Sequence, residues 1–418
     1  MTKFQLLIFT FTLVVIPNVL AGCGAGSSAA IPGGGIGPKA LDQLGGGTFR
    51  TIYQFNGHNR IIGPNGQLIA IGGLLYGTTA FGGPRGRGTI FTLTTSGEKH
   101  VLYQFKGHGD GIFPNGGLIS VGGVLYGTTI AGGIRCPEQS AFTGCGTVFT
   151  VTLSGQEHVI YRFKGGSDGV APYGGLTWFD GKLYGTTFNG GFTPVCPYDG
   201  SYPGCGTVFS VDTSGHERIV YRFRGKSDGA NPNAPLLALD GKLYGTTGEG
   251  GEGGSSCDYG CGTLFAVTTS GREKVLHRFA GGSDGSNPSP GLLEVDGALY
   301  GTTGYFGNGG CCGTVFKATT SGAESPIYSF KGPPDASAPN GMLVAEHGLL
   351  YGTASGGESC GYWDSGTIFA VSTAGAERID HTFSCKSAYD PMPGLLRLDR
   401  TLYGATFGGY GTIFAFTP

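Results

Sequence analysis

Short apolar runs that alternate with polar residues, separated by glycine-rich turns, cover the chain from residue 47 to its end. The runs are rich in Val, Ile, Leu, Phe, Tyr and Thr, and long amphipathic helix patterns are missing after the first twenty residues. Alternation with a period of two is typical of strands that bury one face against the core and leave the other face to solvent. The pattern therefore predicts an all-β domain.

Two motifs recur seven times along this domain. A Tyr-Gly-Thr-Thr motif or a close variant begins at Tyr76, Tyr126, Tyr184, Tyr244, Tyr300, Tyr351 and Tyr403. A Gly-Thr-aliphatic-Phe motif follows each one, at Gly88, Gly146, Gly206, Gly262, Gly313, Gly366 and Gly411. Successive tyrosines are 50 to 60 residues apart, but five of the six spacings become 42 once the segment between the two motifs is subtracted. The chain is therefore a repeat with a fixed frame and one variable loop.

Each copy contains four strand-like runs joined by hairpin turns such as Asp180-Gly181 and Ser214-Gly215. In the third copy the runs are Leu176–Asp180, Leu183–Thr187, Thr207–Val211 and Arg218–Phe223. Four antiparallel strands in a unit of this length make one blade of a propeller. Seven copies predict a seven-bladed β-propeller with four antiparallel strands per blade, spanning residues 47–418.

The two ends of the domain predict a closed ring. An unpaired fourth-strand sequence, Phe49–Phe55, precedes the first copy, and the last copy stops after its third strand, Thr412–Phe416. We expect the N-terminal strand to complete the last blade, because closure leaves no sheet edge unpaired.

The repeats resemble the GloVer-type tandem repeats of exported bacterial proteins and, more loosely, kelch repeats. The match is carried by Gly-Lys-Leu-Tyr-Gly-Thr-Thr at Gly181 and Gly241, and by Gly-Thr-Val-Phe at Gly146, Gly206 and Gly313. The resemblance covers the chain from Gly47 to Pro418. It implies a propeller-like fold and implies no activity.

The first residues read as an export signal. Residues 1–22 combine a weakly positive start with a short apolar run, and Leu20-Ala21-Gly22-Cys23 resembles the bacterial lipobox. We expect lipidation of Cys23 and attachment to the cell envelope, at the outer membrane or the cell surface, through a Gly-rich tether formed by residues 23–46. An ordinary cleaved signal, with Cys23 incidental, is the alternative.

The variable loops and the connections between blades should share one face of the propeller. Loops with exposed aromatic rings could stack on a glycan or hold a protein ligand, or the rings could simply pack the loops onto the blades. The aromatic candidates are Phe142, Tyr198, Tyr202, Tyr259, Tyr305, Phe306, Tyr362 and Trp363.

Ten cysteines remain beside Cys23, an even number that predicts disulfides in an exported chain. Their spacing favours the pairs Cys136–Cys145, Cys196–Cys205, Cys257–Cys261 and Cys360–Cys385. An adjacent-residue disulfide between Cys311 and Cys312 would be strained, so their pairing stays open. Zinc binding by the cysteines is the weaker alternative, because no histidine flanks a pair.

An aspartate lies five residues after the fourth-strand phenylalanine in five copies, at Asp110, Asp168, Asp228, Asp284 and Asp335. Such carboxylates could line the loop-rich face and hold calcium. They could equally form Asx turns that lead from one blade to the next.

Composition narrows the functions further. The net charge of −2 gives no electrostatic reason to expect nucleic acid, and no motif implies a cofactor. No Gly-x-Ser-x-Gly elbow is present. The sequence favours a monomeric binding or scaffold protein with a glycan or protein ligand. A propeller hydrolase or lyase acting on polysaccharide or peptide is the alternative.

Overall fold

The computed structural model describes residues 47–55, 63–136, 144–191, 196, 204–252, 257, 259–288, 291–305, 312–356, 365–384, 388–392 and 394–418. These residues form a seven-bladed β-propeller with four antiparallel strands in each blade, as the repeats predict. The predicted signal segment, the predicted tether and Cys23 lie outside the described residues. Among the residues described, no helix has the length and apolarity needed to cross a membrane.

The strands of each blade run in chain order from the axis outward, and the first strand is split in blades 2, 5 and 6. Blades 1 and 2 comprise Ile69–Ile71, Leu74–Thr79, Thr89–Thr94, Lys99–Gln104, then Ile112–Pro114 with Ile119–Val121, Val124–Ala131, Thr147–Thr152, Glu157–Arg162. Blades 3 and 4 comprise Thr177–Phe179, Lys182–Thr187, Thr207–Val211, Glu217–Arg222, then Leu237–Leu239, Lys242–Thr247, Thr263–Thr268, Glu273–Arg278. Blades 5 and 6 comprise Ser286–Pro288 with Leu293–Val295, Ala298–Tyr305, Thr314–Thr319, Glu324–Ser329, then Ser337–Pro339 with Val344–Glu346, Leu349–Gly356, Thr367–Ser372, Glu377–Thr382. Blade 7 comprises Leu396–Leu398, Thr401–Thr406, Thr412–Thr417 and Thr48–Gln54. Two short 3-10 turns, Lys226–Asp228 and Gly282–Asp284, and the strand pair Ala388–Tyr389 with Gly408–Gly409 lie between these strands.

The N-terminal strand closes the ring. Thr48–Gln54 pairs antiparallel with Thr412–Thr417 and forms the outer edge of blade 7. At the axis, the side-chain amide of Gln67 in blade 1 donates to the backbone oxygen of Leu395 in blade 7 at 2.9 Å. The predicted closure is therefore present, and the seven blades form one continuous ring.

The two repeated motifs face each other across the centre of every blade. In blade 4, Gly245 pairs with Phe265 in the strand register. A Cβ at Gly245 would lie 2.7 Å from Phe265 Cζ, so the ring occupies the space above the glycine. The glycine and the phenylalanine recur together because the phenylalanine ring fills the space that a side chain at the glycine position would need.

The threonines of the two motifs also meet. The last Thr of Tyr-Gly-Thr-Thr and the Thr of Gly-Thr-aliphatic-Phe share a buried hydroxyl hydrogen bond, as between Thr187 and Thr207 at 2.8 Å. In blade 6, Ala354 replaces the last Thr of the Tyr-Gly-Thr-Thr motif. The Thr367 hydroxyl opposite it forms no hydrogen bond with any described residue. The Thr367 hydroxyl is thus left unsatisfied where the other blades have a threonine pair.

The antiparallel order divides the connections between two faces. The uniform first-to-second and third-to-fourth turns lie at one end of each blade, which we call the tight-turn face. The second-to-third loops and the connections between blades lie at the other end, the loop-rich face. The segments that vary in length between copies are all on the loop-rich face.

Candidate functional site

Disulfides fix the bases of three variable loops on the loop-rich face. Cys136–Cys145, Cys196–Cys205 and Cys257–Cys261 are bonded, with Cα–Cα distances of 4.9, 5.4 and 5.4 Å. These are three of the four pairs that the sequence predicts. Three disulfides indicate an extracytoplasmic protein.

The remaining cysteines are only partly accounted for. Cys312 is disulfide-bonded. Cys311, Cys360 and Cys385 lie outside the described residues, so the proposed Cys360–Cys385 pair stays a prediction.

The second cysteine of each loop also holds the next blade. The backbone oxygen of Cys145 accepts a hydrogen bond from the Ala171 amide at 2.9 Å, and that of Cys205 accepts one from Asn231 at 2.9 Å. Ala171 and Asn231 both adopt positive φ angles, 56° and 59°, immediately before a proline. The disulfide loops are therefore tied to the connections that lead toward the axis.

Two of the predicted aromatic residues are described. Tyr259 is 51% exposed beside the Cys257–Cys261 disulfide. Tyr305 is partly buried at the end of a blade 5 strand, burial raises the pKa of its phenol, and its hydroxyl has no hydrogen-bond partner among the described residues. Phe142, Tyr198, Tyr202, Phe306, Tyr362 and Trp363 lie outside the described residues. Tyr410, also 51% exposed on this face, was not singled out because its loop is the shortest of the seven.

Toward the axis, the loop-rich face carries an inner rim of aromatic rings and amides. On blades 1 to 3 it carries two aromatic pairs, Phe81 with Phe113 and Tyr173 with Phe188, whose ring centroids are 5.0 and 5.8 Å apart. Amides lie on blades 1 and 2, where Asn65 donates to Asn115, and on blades 4 to 6, at Asn231, Asn233, Asn287 and Asn340. Sequence reasoning missed this rim because its members come from seven connections that only the ring brings together.

Three of the rim amides contain unsatisfied acceptors. The side-chain oxygens of Asn231, Asn233 and Asn340 are buried and accept no hydrogen bond from any described residue. Asn231, Asn233 and Asn287 gather around Gly248, where a Cβ would have Asn287 Nδ2 at 3.3 Å and Asn233 Nδ2 at 3.9 Å. Buried acceptors without donors are rare in proteins, so these oxygens single out this part of the rim.

The five predicted aspartates lie elsewhere, beside the fourth strands at the outer edge. Each accepts a hydrogen bond from the backbone amide four residues earlier, as Asp168 does from Lys164 at 2.7 Å. Asp168 also accepts one from the Tyr161 hydroxyl at 2.8 Å. These contacts tie each aspartate to the turn that follows its own fourth strand.

Each of these aspartates meets a glutamate from the next blade. At the boundary of blades 1 and 2, the Tyr103 hydroxyl lies 3.0 Å from Asp110 and 3.1 Å from Glu157. We call such a Tyr or His with its Asp and Glu a boundary triad. The five triads are Tyr103–Asp110–Glu157, Tyr161–Asp168–Glu217, Tyr221–Asp228–Glu273, His277–Asp284–Glu324 and Tyr328–Asp335–Glu377.

Burial and the nearby aspartate favour the protonated form of the triad glutamates. Burial, then the charge of the aspartate, raises the pKa of Glu157, Glu217, Glu273 and Glu377 to about 7. For Glu324, burial and its hydrogen bond with Asp284 raise the pKa to about 9. The glutamates therefore titrate where exposed carboxyls would be fully charged.

Blade 6 breaks the repeat on the tight-turn face. Glu346 stands where the other first strands carry Ile, Val, Phe or Leu, and its side chain is only 2% exposed. It forms an ion pair with Arg397 of blade 7 and lies 3.5 Å from His347 Nδ1. The three line a cavity of about 360 Å³. The ion pair offsets the charge of the buried carboxylate, which gives this pair a structural role.

Comparison with solved structures agrees on the fold. A protein from Bacteroides uniformis assigned as a 6-phosphogluconolactonase shares 14% identity, covers 80% of this chain and 88% of its own, and has a TM-score of 0.50. A gluconolactonase from Xanthomonas campestris shares 14% identity over 70% of this chain and 82% of its own, with a TM-score of 0.39. At this identity the likeness concerns the fold alone.

Sequence comparison identifies the family. A search of curated protein sequences found no match. The sequence profile of the Gloeobacter/Verrucomicrobia repeat matches residues 41–193, 135–359 and 192–414, which together span nearly the whole chain. The chain therefore belongs to the Gloeobacter/Verrucomicrobia repeat family.

Proposed function

We propose that this protein is an envelope-anchored binding protein that holds a glycan on its loop-rich face. The observation that carries the proposal is the inner rim, which combines aromatic pairs with buried amide oxygens that have no donor among the described residues. Sugars offer both partners that such a rim needs, because their apolar faces stack on rings and their hydroxyls donate to amides.

The position of the tether supports the same assignment. Thr48 begins the closing strand and pairs with Thr417, at the end of a third strand. Third strands end at the tight-turn face, so residues before Thr48 leave the propeller there. A lipid on Cys23 would then hold the tight-turn face toward the membrane and present the loop-rich face outward.

A binding assay tests the proposal on an exported Cys23→Ala chain probed with peptidoglycan and an array of bacterial polysaccharides. We expect Phe188→Ala or Asn233→Leu to weaken glycan binding about tenfold, which corresponds to a lost stacking or hydrogen-bond contact of roughly 1.4 kcal/mol. Trp178→Ala is the matched control, since Trp178 is 40% exposed on a first strand and lies toward the tight-turn face.

Two results would contradict a glycan ligand. One is the absence of binding to every polysaccharide, and the other is an equal loss in the Trp178→Ala control. If crosslinking at Tyr259 instead captures one extracytoplasmic protein, and rim variants abolish that capture, the ligand is a protein.

A hydrolase or lyase acting on the bound polysaccharide is the second candidate. Asp390 favours it, because this buried carboxylate, 5% exposed, occupies the same position before a proline that Asn231 occupies in an earlier connection. Release of shorter oligosaccharides by the parent chain, and its loss in Asp390→Asn without loss of binding, would support catalysis.

A further inference from the structure

One boundary triad differs from the other four in a single side chain. The equivalent position is tyrosine at Tyr103, Tyr161, Tyr221 and Tyr328, and histidine at His277 in blade 4. The exchange replaces a phenol, whose raised pKa keeps it protonated, with an imidazole nitrogen that can bind a metal. His277, Asp284 and Glu324 form the one group of three or more ligand-type side chains found together among the described residues.

The spacing of the three ligand atoms fits a small tetrahedral ion. His277 Nε2 lies 3.1 Å from Asp284 Oδ2 and 3.4 Å from Glu324 Oε2, and all three atoms lie within 4.8 Å of one another. Ligands bound to zinc at about 2.0–2.2 Å in a tetrahedron stand roughly 3.3–3.6 Å apart. The geometry thus needs little adjustment to receive the ion.

The charge and burial of the group also call for a cation. The Glu324 side chain is 2% exposed, and its Oε1 accepts no hydrogen bond from any described residue. Asp284 is 20% exposed at the side chain and keeps a backbone hydrogen bond from Ala280 at 2.7 Å. Two carboxyl groups held together in a buried site keep one of them protonated when no cation is present, and a divalent ion could take the place of that proton. His277 is 23% exposed, which leaves a path for the ion and for one water ligand.

We propose that His277, Asp284 and Glu324 form a zinc-type divalent metal site that joins blade 4 to blade 5. His277 and Asp284 come from the end of blade 4, and Glu324 begins the fourth strand of blade 5. The bound ion links the two blades at their outer edge. Since the site is far from the inner rim, it is independent of the proposed glycan binding.

The repeats supply a control that is expected to fold. His277→Tyr gives this boundary the same triad as its four neighbours. Untagged full-length protein, stripped with a chelator, is titrated with Zn²⁺ by calorimetry and with Co²⁺ by absorption spectroscopy. We expect one ion per chain in the parent protein and at least a tenfold weaker affinity in His277→Tyr and in Glu324→Gln.

Two further measurements strengthen the test. Tyr221→His builds the same triad at the boundary of blades 3 and 4, and we expect it to bind a second ion. Calorimetry in buffers of different ionisation enthalpy should show proton release on binding, because the metal displaces the proton of Glu324, which passes to the buffer. The proposal is overturned if the parent chain binds no ion, or if His277→Tyr binds zinc as tightly as the parent.

Discussion

Phe49 stacks on His381 with ring centroids 3.7 Å apart and an angle of 8° between the ring planes. This contact stands at the boundary of blades 6 and 7, where the other boundaries described above carry a glutamate against a tyrosine or histidine. Phe49 replaces the glutamate and Ala388 replaces the aspartate of the triad. At the boundary where the ring closes, an aromatic contact thus takes the place of a polar cluster.

We expect Phe49→Ala to loosen the closing strand. Phe49 also packs edge-on against Phe383, with centroids 5.6 Å apart, so the change removes several ring contacts from a partly buried site. The loss should be about 2 kcal/mol. Hydrogen exchange at Thr48–Gln54 should rise more than at any other fourth strand. Thr48→Ala, an exposed change in the same strand, is the control, and equal exchange in both variants would contradict the prediction.

The propeller should be more stable in mild acid than in mild base. The triad glutamates have pKa values of about 7 or above in the folded chain, against an ordinary value near 4.5. The folded state therefore binds more protons than the unfolded state between these values, and stability falls as pH rises through 7. Because the groups are partly exposed, we expect on the order of 5 °C between pH 5.5 and pH 8 in thermal melts.

A single variant separates this effect from other titrations. Glu217→Gln mimics the protonated side chain, so it should raise the melting temperature at pH 8 and leave it nearly unchanged at pH 5.5. The exposed Glu98→Gln should do neither. If the melting temperature of the parent chain does not change between pH 5.5 and pH 8, the triad glutamates are not protonated in the folded state at mildly acidic pH.

Gly245→Ala should destabilise blade 4 by about 1–3 kcal/mol, because the new methyl group would press on Phe265 and Leu236 at 2.7 and 2.8 Å. Gly304→Ala is the control, since the nearest atom to its added methyl group, Asn287 O, lies 3.7 Å away. Chemical denaturation should separate the two variants, and equal stabilities would contradict the packing argument.

Ala354→Thr should stabilise the protein by about 1 kcal/mol. It supplies the missing partner for the buried Thr367 hydroxyl and restores the pair seen in the other blades. Ala354→Val has nearly the same shape without the hydroxyl and should give no such gain. If threonine and valine have the same effect on denaturation, the gain comes from packing and not from the hydrogen bond.

Cys23→Ala should move the protein from the membrane fraction to the soluble fraction of fractionated cells. The reason is that the acyl chains on a lipidated cysteine contribute roughly 0.8 kcal/mol of membrane affinity per buried CH₂. Immunoblotting of both fractions checks this. Membrane retention that does not change in the variant would favour the alternative of an ordinary cleaved signal.

The sequence could predict the contacts that form within a single repeat. Gly245 and Phe265 lie within one blade, and Cys196 and Cys205 lie within one loop, so copies of one unit reveal both relationships. Contacts between units are different. Tyr103 and Glu157 belong to successive copies, and their contact depends on how neighbouring blades pack against each other. The same reason hides the inner rim, because Phe188 and Asn340 share a surface only when the ring is closed.

The closing strand also sets the order in which the molecule can become complete. Residues 48–54 are synthesised before the rest of the propeller and pair with residues 412–417, at its other end. A contact between segments so distant in the chain is slow to form, since the loop between them must be closed first. The ring therefore cannot close before the last strand of blade 7 has been synthesised, so blade 7 cannot be complete before all the others have been made.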